Sequence, residues 1–524
     1  MRKKNIKSYI KASVCITMIS LLTGCTGNFE DYNMNPFGPT PDDLLGDNVE
    51  TGILIEAMLP AIVQGHQNNS QMIDQMIGLE YGGHASMINP WGNSGNYYTY
   101  NPRISWYGTT FDTTMPQIYS NFFQIKEKTG GKGVVFAWAQ ILRVAASLKI
   151  SDCYGPIPYS KINGTAYTVS YDNMEELYNN MFADLDEAIL TIKAALASNA
   201  DVSILANYDF VYSGNFTKWV KYANTLKLRM AMRIANVSGT VAKEKAEEAV
   251  HDNIGVMTEA GDAAYSSYND GMNPFYRASY TWNGGEFRVS ANITSYMNGY
   301  KDPRLALYFK ESEKNGYAGV RNGISQTASS FASYQTLSKP NIGENDKLLI
   351  MSAAEAYFLR AEGKLKGWDM GGTVKDLYET GIITSMTEKG ATVGDYLSNT
   401  LTPADYTDPI NSKYSYKAVS TVCPAYDAGA GNDVNLERIL VQKWIATYPS
   451  GWETWADIRR TGYPKFFPVG DNLSGGVVNS ARGMRRLPYP QSEYNTNSTN
   501  VTAAVGMLGG GDNAGTDLWW AKKN

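Results

Sequence analysis

Residues 436–464 (LERILVQKWIATYPSGWETWADIRRTGYP) constrain the fold more than any other stretch. Leu436, Ile439, Leu440 and Trp444 recur at helical spacing, which predicts one amphipathic helix. Pro449-Ser450-Gly451 breaks it. Trp452, Trp455 and Ile458 then restart the rhythm, and Gly462 with Pro464 supplies a stop. Three tryptophans on two short helices are a large apolar load, so the pair is expected to pack into a core. Arg459 and Arg460 stand beside Glu453 and Asp457, and the expectation is ion pairs on the outer face, where such pairs contribute little.

The same helical period recurs elsewhere. Residues 134–150 place Val134, Trp138, Ile141, Ala145 and Leu148 on one face. Residues 172–192 open on Asp172 and Glu175, read as a variant capping box. Residues 216–237 and 241–253 read as a further pair, and Ser352 with Glu355 as a second box before another helix. Small residues Ala353, Ala356, Ala361 and Gly363 allow close helix approach. Helix pairs that each leave an apolar face bare must stack. The expected fold is therefore all-α, a tetratricopeptide-like α-solenoid with long loop insertions and minor β-hairpins. No strict 34-residue repeat is visible.

The N-terminus predicts export. Arg2, Lys3, Lys4, Lys7 and Lys11 precede a short apolar run, residues 12–22, and then Leu22-Thr23-Gly24-Cys25. Such a run is a signal peptide, shorter than the ~18 apolar residues of a membrane span. Removing these five positive charges takes the formal charge from −5 to −10. An acidic chain has no electrostatic footprint for nucleic acid. Residues 1–24 are thus expected to be removed, 25–41 to form a polar, proline-rich tether, and 42–524 to form the folded domain. Of the remaining cysteines, Cys153 and Cys423 are far apart and their pairing is left open, with two buried free thiols favoured.

Several spaced motifs resemble one family. QKWIA (442–446), an acid and tryptophan, and RRTGYP (459–464) resemble the C-terminal signature of SusD/RagB-type nutrient-binding lipoproteins of the Bacteroidota outer membrane. So do the LKLRMAMRI tract (226–234), the turn from Asp152 to Tyr159, Asp302-Pro303-Arg304, and Arg485-Arg486-Leu487-Pro488-Tyr489-Pro490 followed by Glu493 and Asn500. The resemblance implies lipid on Cys25 and an outer-membrane anchor. It also implies a binding protein that caps a SusC-like TonB-dependent transporter. Glu30 and Asp31 resemble the acids that mark surface-exposed lipoproteins of this bacterial group.

Two tracts, 81–116 and 262–300, are rich in Gly, Asn, Tyr and Trp and lack helical period. Long structureless tracts in a large domain are usually functional. Aromatic faces stack on sugar rings, while Asn and Arg hydrogen-bond hydroxyls. The candidate ligand residues are Trp91, Asn93, Tyr98 and Trp106 in the first tract, and Tyr280, Trp282 and Arg288 in the second. The expected ligand is a nutrient, with an oligosaccharide the favoured class; a peptide receptor and a lipoprotein glycosidase are the alternatives. Catalytic motifs are scarce. Three histidines fit no zinc spacing, and neither a nucleophile elbow nor a Walker loop is present. No cofactor is expected, although Asp270, Asp302, Asp512 and Asp517 leave a structural calcium ion possible.

Overall fold

A computed structural model describes residues 48–90, 95–200, 202–267 and 271–522. Cys25, the tether, Trp91, Asn93 and Asp270 lie outside the described residues. Met1–Glu50 and Thr51–Asn524 are separate units, and all that follows concerns the second.

Helices dominate this unit. The long ones are α1 (Thr109–Thr129), α2 (Gly133–Tyr154), α3 (Met174–Ala197), α4 (Phe216–Ile234), α5 (Gly239–His251), α6 (Ala291–Tyr300), α7 (Ala353–Leu365), α8 (Val374–Lys389), α9 (Asn432–Ala446) and α10 (Trp452–Thr461). Neighbours in sequence pack on one another: α1 on α2, α2 on α3, α4 on α5, α7 on α8. Contacts of α3 with α4, α4 with α7, and α7 and α8 with α9 join the pairs. This is the stacked helical scaffold that the apolar periodicity predicts. Among the described residues, sheet is limited to two-stranded antiparallel pairs: β1 (Ala85–Met87) with β3 (Phe287–Val289), β2 (Ala264–Ser266) with β6 (Leu348–Met351), and β4 (Phe309–Lys310) with β5 (Lys339–Pro340).

Helix α2 is long and apolar enough to cross a membrane, but 83% of its apolar window is buried inside the protein. It also runs four residues past the expected end at 150, because its last carbonyls find partners. Arg486 donates to the Tyr154 carbonyl at 2.8 Å, Leu487 N to that of Cys153 at 2.8 Å, and Arg459 to that of Asp152. Unpaired carbonyls and the negative end of the helix dipole both favour such cations. Two of the arginine motifs thus act as the C-terminal cap of one helix.

The ion pairs expected on the outer face lie in the interior instead. Arg459 is 0%, Arg460 2% and Asp457 3% exposed. Arg460 reaches Asp457 at 2.8 Å and Glu362 at 2.6 Å. Lys443 meets Asp457 at 2.9 Å, Arg233 meets Glu453 at 2.7 Å and Asp152 at 3.0 Å, and Arg229 meets Glu355 at 2.8 Å. These groups come from α2, α4, α7, α9 and α10, so one buried network ties the helical pairs together. Burial alone would raise the Glu453 and Asp457 carboxyls. Arg229 and Arg233 around the first, and Lys443 and Arg460 around the second, hold both below the usual carboxylate range. Arg459 lies between the indoles of Trp455 and Trp520, at 3.6 and 4.8 Å. The sequence places cation and acid a turn apart; it does not show that both flanks of α10 are covered.

Other local expectations also change. Asn173, not Asp172, caps α3, accepting from Glu176 N at 2.9 Å. The Asp172 carboxylate accepts Tyr159 N and Ser160 N, holding the turn after α2. The Ser352–Glu355 box does not form, because Ser352 bonds Glu388 and Glu355 is held by Arg229. Tract 81–116 contains the start of α1, hidden by threonines and by Pro116 inside the helix. Tract 262–300 contains α6. Cys153 and Cys423 are both free, the first buried and the second partly exposed.

Candidate ligand-binding site

The two loop tracts meet through β1 and β3. Ala85 pairs with Val289 and Met87 with Phe287, and Ile88 N donates to the Glu286 carbonyl at 2.9 Å. This pairing sets Asn89 and Pro90 beside the turn Trp282-Asn283-Gly284-Gly285. That turn needs left-handed backbone at three successive residues, with φ of 48° at Asn283, 74° at Gly284 and 102° at Gly285. Asn and Gly tolerate this region best. At Gly285 a Cβ would meet the Ser279 carbonyl oxygen at 2.1 Å.

Between the tracts lies an open groove of about 870 Å³. Trp282, Phe331, Met72 and Pro90 supply its apolar wall, and Asn68, Gln71, Asn89, Asn283 and Glu286 its polar one. Trp282 is half-buried, its inner part packed on the core. Glu286 is the hub of the polar wall. Its carboxylate accepts from the side-chain amides of Asn89 and Asn283, both at 2.5 Å, and from Gln71.

Of the sequence candidates, Trp282 faces this groove. Arg288 does not: it is buried beneath the turn and donates to the carbonyls of Gly285, Phe287 and Gln335. Burial pushes its guanidinium down to about 10, outweighing the opposing pull of Tyr280 and Glu313. It braces the turn. Tyr98 is buried, with its hydroxyl donating to the Asn89 carbonyl at 3.2 Å. Trp106 stacks on Tyr97 at 5.7 Å, away from the groove lining. Tyr280 stacks on Tyr276 at 4.8 Å, donates to the Pro340 carbonyl, and has Lys310 and Lys339 near its ring. Sequence reasoning missed Glu286, Gln71 and Phe331. Glu286 sits next to the left-handed turn and was findable there. Phe331, on a short helix 49 residues after Trp282, gives no local signal.

A second cavity, of about 410 Å³, lies under the loops after α10 and is lined by Glu80, Tyr81, Tyr98, Tyr100, Trp455 and Arg459 among others. Burial pushes the Glu80 carboxyl up to about 7, although Met87 N and Asn322 donate to it. Through Met87, Glu80 holds β1 in place.

The three described acids weighed for calcium are engaged with arginines. Asp302 pairs with Arg304 at 2.6 Å, Asp512 with Arg486, and Asp517 with Arg485 at 2.6 Å. Among the described residues, no three His, Cys, Asp or Glu side chains converge on a common point for a metal. Glu286 is the one carboxylate among the described groove-lining residues, whereas glycosidases use a pair.

The sequence matches the family described as "Susd and RagB outer membrane lipoprotein" over residues 31–521. A SusD-like protein of Bacteroides thetaiotaomicron is 38% identical, with a TM-score of 0.86 covering 90% of this chain and 99% of that one. A SusD homologue of Bacteroides uniformis is 40% identical, with a TM-score of 0.85 and the same coverage. A SusD homologue of Flavobacterium johnsoniae described as chitin-binding is 37% identical, with a TM-score of 0.86, again covering 90% and 99%. No curated protein matches the chain. With its stacked helices, open groove and family match over residues 31–521, the chain belongs to the SusD/RagB family of outer-membrane lipoproteins, nutrient-binding proteins rather than enzymes.

Proposed function

We propose that the protein captures an oligosaccharide in the groove beside Trp282 and delivers it, unaltered, to a SusC-like TonB-dependent transporter. Lipid on Cys25 holds it to the outer membrane, with the folded domain displayed at the cell surface. The observation that carries the ligand class is the groove itself, where a half-buried indole faces a wall of side-chain amides. Apolar ring faces of sugars suit the former, and their hydroxyls suit the latter. The Flavobacterium johnsoniae relative, described as chitin-binding, supports a glycan. The lipid anchor and outward display rest on the Leu22–Cys25 pattern and the acids at positions 30 and 31.

A glycan array run beside a peptide library tests the ligand class. Retention of one or more glycans is expected, with no release of reducing ends on long incubation. Peptide binding without glycan binding would replace this reading with a peptide receptor, and steady release of reducing ends would replace it with a glycosidase.

A further inference from the structure

The polar wall of the groove has a direction. Asn89, Asn283 and Gln71 each turn a side-chain NH₂ toward the Glu286 carboxylate. Each of these amides gives an N–H to the carboxylate, which fixes its orientation and leaves Glu286 as the charged group of the wall. No lysine or arginine stands among the described lining residues. Arg288 lies below, with its donors committed to backbone carbonyls. Among its described lining residues the groove therefore pairs one carboxylate with no cation.

We propose that Glu286 makes the groove selective for uncharged glycans, which offer hydroxyl or acetamido N–H donors, and turns away glycans carrying carboxylate or sulfate. The inference rests on the glycan reading above. An anionic substituent brought beside Glu286 meets like charge, with no side-chain cation among the described lining residues to offset it. Neutral hydroxyls meet amides already held in place, which lowers the ordering cost of binding.

Matched oligosaccharides with and without sulfate or a C6 carboxylate on the same backbone, presented to the mature protein, test this. The neutral member should bind at least about tenfold more tightly, roughly 1.4 kcal/mol. Raising salt from about 0.05 to about 0.5 M should narrow the gap by screening. Glu286→Gln keeps the shape and removes the charge, so its neutral-to-acidic ratio should fall to within about threefold. If that variant does not fold, the salt dependence of the wild type decides alone. Acidic members that bind as well as neutral ones, a ratio that survives in Glu286→Gln, or a gap indifferent to salt would overturn this inference and leave glycan capture standing. Binding of neither kind would overturn both.

Discussion

The helical scaffold and the groove use charge in opposite ways. In the scaffold, Arg229, Arg233, Lys443 and Arg460 meet Glu355, Glu453, Asp457 and Glu362 in nearly full burial, and each of these four cations has an acid. In the groove, Glu286 meets only amides. The first arrangement is closed: its hydrogen bonds are internal and its strength goes into holding helices together. The second faces an open volume and its aromatic wall is only half covered. Rigidity and recognition are thereby assigned to different residues, and substitutions should separate the two.

The largest effect is expected in the scaffold. Arg460→Ala strands Glu362 in the interior and leaves Asp457 with Lys443 alone, and losing one partner of a buried pair costs about 3–5 kcal/mol. Chemical denaturation should show that loss, while the folded fraction keeps its glycan affinity. A comparable loss of affinity would erase the division between the regions.

Next comes Glu80, on the boundary. Its folded carboxyl titrates near 7, above the ordinary 4.5. A raised carboxyl favours the folded state below the unfolded value, and this contribution fades as pH rises from about 4.5 through about 7. Glu80→Gln should remove that slope, so the variant gains about 3 kcal/mol on the wild type across the window. Parallel unfolding curves over that range would show that Glu80 does not titrate there.

Trp282→Ala should weaken glycan binding by roughly 1–3 kcal/mol, the size of one well-packed aromatic contact. The smallest effect belongs to Trp106→Ala. This ring packs on Tyr97 outside the groove, so glycan affinity should stay within about 0.5 kcal/mol of wild type. Calorimetric titration of both variants reads the contrast, and equal losses would extend the site toward Tyr97.

The two regions also differed in how far they could be read in advance. Residues 436–464 announce two helices because apolar side chains recur at a fixed period, and α9 and α10 form there. Periodicity does not tell which polar residues become covered, which is why the Arg460 and Asp457 pair was expected outside. Pro116 and the threonines around it hid α1 for a similar local reason. For the groove, aromatic and amide-rich composition pointed to both tracts, and Trp282 lines the volume between them. Arg288 had the right chemistry and the wrong direction, since strand alternation turns it under the sheet pair. Glu286 and Phe331 become neighbours only once β1 pairs with β3 and a helix 49 residues after Trp282 folds over, a long-range event with no local trace.

A crystal structure of the protein with an array-identified oligosaccharide tests the central claim most directly. The account predicts an intact sugar ring against the face of Trp282, with hydroxyls on the amides gathered around Glu286. A ligand seated elsewhere, for example in the cavity beside Tyr81 and Trp455, or one found cleaved, would contradict it.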